Sequence, residues 1–364
     1  MGKRELLIVA AFLIVGAIVF QITAPPKTES SGFSFSNIFN HMRREVRGNP
    51  GRATVTHTKT IPVGADVREL RILRVAQAVK VIGENRTDVE YALTVSSNGP
   101  DDVAATLYAD QTVFERDDVA DSMVLRVTYP DEGSQDTSAV IKVPAHLAVR
   151  VENSIGVSIA GVAAAHIEAA RGEIKLSDIT GEVTGAHQDS NLTVTNAKSV
   201  KMRLLRLRSH FENVSDGLTL DVRDGECTIL KSGGAVEVDS QRAEITLTGH
   251  AGPVIVRGTD GRVVLDGPTA ESKVDMRRAE VEVTMAQGVP VTIITTDQTA
   301  RVIVKDTASF ELDALTTDGK IQATDVNLTA ENVGNNMKLV HTFGTARTAR
   351  VTIRNTRGEI VVRK

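Results

Sequence analysis

LTLDVRDGECTILKSGGAVEVDSQRAEITLTGHAGPVIVRGTDGRVVL, residues 218–265, repeats itself every nine residues. Apolar pairs stand at alternate positions: Leu218/Leu220, Cys227/Ile229, Val236/Val238, Ile245/Leu247, Val254/Val256 and Val263/Leu265. Alternation marks a strand with one buried face. A fixed period marks a small unit stacked on itself. Gly225, Gly234, Gly252 and Gly261 stand two residues ahead of their pairs, with Ala243 in the same slot. The matched pairs lack two-residue hairpin loops between them, which favours coils over a meander. If two cassettes make one coil, residues 18 apart stack; three cassettes would make it 27. On the shorter coil Asp221, Asp239 and Arg257 share one column, and Leu230, Thr248 and Asp266 share another.

Outward from this stretch the pattern loosens but continues. Before it stand Val149/Val151, Val157/Ile159, Ile174/Leu176, Leu192/Val194 and Val200/Met202. Leu204-Leu205-Arg206-Leu207 breaks the phase by one. After it come Val274/Met276, Val281/Val283, Val291/Ile293 and Val302/Val304, and Val351/Ile353 and Ile360/Val362 close the chain. Asp-Gly steps such as Asp224-Gly225 and Asp260-Gly261 mark corners, where both residues tolerate left-handed backbone. Residues 147–364 therefore read as a β-solenoid body.

Residues 52–146 read as a cap continuous with that body, because an open solenoid end exposes apolar surface and strand edge. Tyr91, Tyr108, Phe114 and Tyr129 gather here, whereas only Phe211, Phe310 and Phe343 follow. A helix is expected after Asn98-Gly99-Pro100, capped by Asp101 or Asp102, showing Val103, Leu107, Val113 and Phe114 to the core and ending near Arg116. The fold class is all-β: a single-stacked solenoid with a small capping helix. Aromatics at 3%, no Trp and 41% apolar residues suit a thin aliphatic core.

Lys3 and Arg4 precede an apolar run from Leu6 to Ile22. Its length is near the lower limit for a membrane-spanning helix, so residues 1–23 are expected to be an anchor with its N-terminus in the cytoplasm. A cleavable signal peptide is the rival reading. Both place the body outside the cytoplasm, periplasmic or on the cell surface. Residues 24–51 read as a linker, in which Phe35, Ile38, Phe39, Met42 and Val46 fall at helical spacing beside Arg43, Arg44 and Arg47. That pattern fits an amphipathic helix on a membrane face, a helix packed on the body, or a plain spacer.

At this point the chain resembles the bacterial toastrack, or adhesin-like, domain family of unknown function. The likeness rests on Val143-Pro144, Gly172-Glu173-Ile174-Lys175-Leu176, Gly217-Leu218-Thr219-Leu220 and the ending Arg357-Gly358-Glu359-Ile360-Val361-Val362, and spans about 52–364. The Asn-Gly-Asp corners frequent in that family are replaced by Arg-Gly-Glu, Asp-Gly-Glu or Ser-Gly-Gly. The resemblance implies a β-solenoid outside the membrane, sometimes tied to envelope sensing or adhesion, and supplies no catalytic residues.

Chemistry is sparse. Cys227 is the one cysteine, so no internal disulfide or paired-thiolate metal site can form, and its slot is a buried one. The histidines, at 41, 57, 146, 166, 187, 210, 250 and 341, make no zinc motif and read as scattered surface groups. No nucleophile elbow, P-loop or dinucleotide fingerprint is present, and a calcium roll would need more glycine and a fixed Asp in each unit. Asp221, Asp239 and Asp266 could serve a polysaccharide-cleaving β-helix, but corner acids are usually solvated turn formers. Arg203, Arg206 and Arg208 form a basic run that reads as an anionic-glycan contact or a solvated edge. A net charge of −4 gives no field for nucleic acid.

We therefore expect no enzyme, no catalytic, cofactor-binding or metal-binding residue and no cofactor. The expected function is a membrane-anchored interaction scaffold, its partners being the membrane, through the N-terminal helix, and a protein or glycan on the solenoid face. An envelope-sensing accessory is the alternative, and a carbohydrate-active enzyme the third reading.

Overall fold

The structure, a computed structural model, describes residues 51–168, 171–345 and 349–364. The expected anchor at 1–23, and the linker up to residue 50, lie outside them. Among the described residues no helix is long and apolar enough to cross a membrane.

The stacking register settles the coil at 18 residues. Leu218 lies beside Val236 and Val236 beside Val254; Cys227 lies beside Ile245 and Ile245 beside Val263, all in parallel. Each turn thus contributes one strand to each of two parallel sheets. Both apolar members of every cassette in 218–265 are buried. Asp221, Asp239 and Arg257 stack in one column, as an 18-residue coil requires.

Corners are built from left-handed residues whose N–H reaches the next coil. Asp224 has φ +54° and donates to Gln241 O at 3.0 Å; Lys231 has φ +53° and donates to Thr248 O at 3.0 Å. Gly234 allows the tightest approach: a Cβ there would lie 1.6 Å from Asp216 O. The phase break has a local origin. Ile179 pairs with Ala197 and Ala197 with Val214, but Glu182 pairs with Ser199 and Ser199 with Gly217. The corner at Lys198 is therefore one residue shorter than its neighbours on both sides, and the phase break read at 204–207 sits one corner earlier.

Rungs follow chain order only in the middle. The turn made by Glu69–Leu73 and Ala78–Glu84 lies between the turn Ser122–Thr128/Ser134–Pro144 and the turn Ala148–Glu152/Gly156–Ala160. At the other end, the final strands Arg350–Thr356 and Glu359–Arg363 do not close the stack. The first is inserted between Val291–Thr296 and Phe310–Thr317, the second between Ala300–Val304 and Lys320–Gln322. The expectation that the chain simply climbs one axis fails at both ends.

Antiparallel strands then cover the ends. Asp88–Gly99 and Gly51–Pro62 extend one sheet, Val113–Val119 the other, and Asn336–Phe343 covers Phe310–Thr317. Two aromatic pairs sit where coil no longer covers coil: Tyr91 meets Phe114 edge-on with centroids 5.0 Å apart, and Phe310 meets Phe343 at 5.2 Å.

The capping helix spans Asp102–Gln111 and is capped by the Asp101 side chain, which accepts from Ala104 N–H at 2.8 Å. It ends earlier than expected because Val113–Val119 pairs as a strand. Its buried face is also not the expected one. Val103 is 80% exposed and Leu107 51%, while Ala105 and Ala109 are fully buried. Small residues let the helix backbone lie against Gly99, where a Cβ would sit 2.6 Å from Ala105 N. Bulky Val103 and Leu107 could not fit there.

Candidate functional site

The most ordered chemistry on the surface is a column of corner charges. It begins Arg171, Asp189, Arg206, Asp224, Arg242, Asp260, at spacings of 17 or 18 residues. Arg278, Asp297, Arg357 and Asp318 continue it in spatial order. From Asp189 onward these residues hold φ between +51° and +63°. Arginine rarely adopts that conformation, and here a fork-shaped ion pair holds it. Arg206 Nε and Nη2 donate to Asp189 at 2.8 and 3.0 Å, and Arg242 to Asp224 at 2.5 and 2.9 Å. Arg278 repeats this with Asp260 at 2.8 and 2.9 Å, and Arg357 with Asp297 at 2.6 and 3.0 Å.

These bonds hold the carboxyls of Asp189, Asp224, Asp260 and Asp297 below their ordinary range. A carboxyl depressed in the folded chain stabilises it fully above the unfolded pKa of about 4, and less as pH falls through the folded value. The thermal midpoint is therefore expected to hold from neutral pH down to about 5 and to drop below about 4. The Asp224→Asn/Asp260→Asn double variant should melt lower at neutral pH and show a shallower acid drop. Circular dichroism melts across that range check both, and an identical acid drop in the variant would refute the assignment.

The sequence-predicted acids do not converge. Asp221 stacks beside Asp239, but Asp266 lies between Thr248 and Thr284 on the other sheet. Asp221 accepts from Arg223 Nε at 3.0 Å, and Arg203 Nε lies 3.3 Å away. The basic run is matched by acids: Arg203 by Asp221, Arg206 by Asp189, and Arg208 by Glu226 at 3.2 Å. Among the described residues no group of three or more His, Cys, Asp or Glu could hold a metal ion.

Among the described residues, two histidines are buried rather than on the surface, His187 and His250. Val183, Gly185 and His187 occupy successive interior positions, and the imidazole fills the space above Gly185, where a Cβ would come within 3.0 Å of Nε2. Burial, with His166 nearby, pushes the His187 pKa down to about 4, so the ring is neutral. It borders an open cavity of about 520 Å³ also lined by Asn153, Arg171, Gln188 and Arg203. The missed signal was parity: His187 stands an even number of residues beyond buried Val183.

Cys227 is buried, and burial pushes its thiol up to about 12. Thiolate chemistry is suppressed there. A disulfide reagent is expected to leave the native chain unmodified at neutral pH and to label it at one site once denaturant unfolds it. Fast native labelling would place Cys227 outside the interior.

The family model described as Toastrack DUF4097 matches residues 76–363. No curated protein matches the sequence. Among solved structures, the chain is similar to a "putative cell adhesion protein" from Clostridium sporogenes, at 10% identity over 86% of this chain and 99% of that one, with a TM-score of 0.19. It is similar to a "putative adhesin" from Parabacteroides distasonis, at 11% identity over 85% and 97%, with a TM-score of 0.22. A "putative lipid binding protein" from the same organism shares 10% identity over 85% and 97%, with a TM-score of 0.21.

Proposed function

The chain belongs to the toastrack family, and on that premise we propose that it is a non-enzymatic interaction scaffold outside the cytoplasm. Residues 1–23 hold it to the membrane, and a sheet face meets a protein or glycan partner. One observation carries this reading: equivalent outward side chains are stacked rung upon rung. Thr193, His210, Thr228 and Thr246 occupy one such column. Neighbouring rungs are about 4.8 Å apart, so the face offers an extended ligand a row of hydroxyls with one imidazole among them. Such a surface binds by repetition and needs no single deep site.

The test joins location and binding. The full chain should pellet with membranes, and residues 24–364 should remain soluble; pelleting of the shortened chain refutes the anchor. The shortened chain, immobilised, should retain an envelope protein or glycan. Thr228→Arg/Thr246→Arg should weaken that retention at least about tenfold without lowering the melting temperature, as central contacts do at interfaces. Unchanged retention removes this face from the proposal.

A further inference from the structure

We infer that the alternating corner charges are a register code that places the last coil. Along the chain the alternation runs unbroken from Arg171 to Asp297 and then fails, because Asp318 comes next and Arg357 last. Stacked in chain order, Asp318 would lie on Asp297, and like charges on adjacent strands destabilise a sheet. The inserted coil removes that contact by standing Arg357 between the two acids. Arg357 bonds Asp297 through both nitrogens of its fork, and Asp318 attracts the same guanidinium from the other side. The backbone follows the same order: Asp297 N–H donates to Thr356 O, and Arg357 N–H to Thr317 O, both at 2.8 Å.

The aliphatic contacts of the interface are indifferent to order. Val291 packs on Val351 in the fold and would meet Leu312 in chain order; Ala300 packs on Ile360 and would meet Ile321. All are aliphatic, and backbone ladders do not read side chains. A second polar lock agrees with the charges. Asn355, buried on the inserted coil, donates from Nδ2 to Gln298 O at 2.9 Å, a bond to the very rung it would leave in chain order. Asp313, gripped by Arg350 and Arg354, ties together two rungs that are neighbours in either order.

The test exchanges the two terminal charges and reads the order directly. Asp318→Arg/Arg357→Asp puts acid on acid in the inserted order and restores alternation in chain order. Thr296 neighbours Thr356, which neighbours Thr317. Adjacent rungs lie about 4.8 Å apart and alternate rungs about 9.6 Å, and a disulfide needs Cα atoms closer than about 7 Å. With the charges unaltered, Thr296→Cys/Thr356→Cys should cross-link under mild oxidation and Thr296→Cys/Thr317→Cys should not. With the charges exchanged, the second product should rise at least about fivefold and the first should fall, as expected for turning attraction into repulsion at one exposed pair. The same exchange at Asp260 and Arg278, where neighbouring rungs are consecutive in the chain, should leave both products unchanged. An unaltered pattern in the terminal exchange overturns the inference. So does loss of both products, because charges that merely stabilise the end would not choose its order.

Discussion

Val256→Asp is expected to unfold the central coils. Val256 is fully buried, and the register stacks it between Val238 and Val274. An aspartate there must either keep its charge among aliphatic side chains or take up a proton, and a lone buried charge costs about 3–5 kcal/mol. Each coil leans on its neighbours alone, so the damage spreads through the coils it touches. Hydrogen exchange should show amides of 236–283 losing protection. Val256→Ala removes only packing, about 2 kcal/mol, and should keep the fold at a lower melting temperature. Native protection in the aspartate variant would mean this position does not face the interior.

Deleting residues 350–364 should have the second large effect, and its reach distinguishes inserted from terminal. Val351, Ile353, Ile360 and Val362 are all buried, and each contributes about 1.5–3 kcal/mol by leaving water. A terminal rung could be removed with damage limited to the new end. An inserted rung leaves two cut surfaces: Val291–Thr296 and Ala300–Val304 lose their outer partners, and Phe310–Thr317 and Lys320–Gln322 lose their inner ones. Asp313 also loses both arginines. Amides from 310 to 343 should exchange at the rate of an unfolded chain while 218–265 stays protected. Retained protection at 310–343 would show that the terminal turn holds without the inserted coil.

Much of the fold was legible because period and parity are local. Leu218/Leu220 and Cys227/Ile229 identify both sheets from adjacent residues, and the 18-residue stacking was one of two arithmetic options. The corner column was legible too, since Asp189, Arg206, Asp224, Arg242, Asp260 and Arg278 keep the coil spacing. Following the Asp-Gly steps alone hid the arginines that alternate with them. The helix was placed but turned the wrong way. Val103 and Leu107 look like a core face by hydropathy, yet the available space next to Gly99 admits only alanine. His187 was read with the other histidines as a scattered surface group, although its parity with Val183 places it inside.

By itself the amino-acid order determined that strands alternate inside to outside, that they recur with the coil, and that the interior is aliphatic, since each follows from spacing within one turn. Only the tertiary structure decided the sequence of rungs at the two ends. Strand pairing is blind to how many residues separate the partners, and aliphatic faces accept one another in any order. Contacts between residues far apart in the chain, such as Arg357 with Asp297 and Asn355 with Gln298, cannot be read from spacing within one turn, because they join rungs that the chain order does not make neighbours.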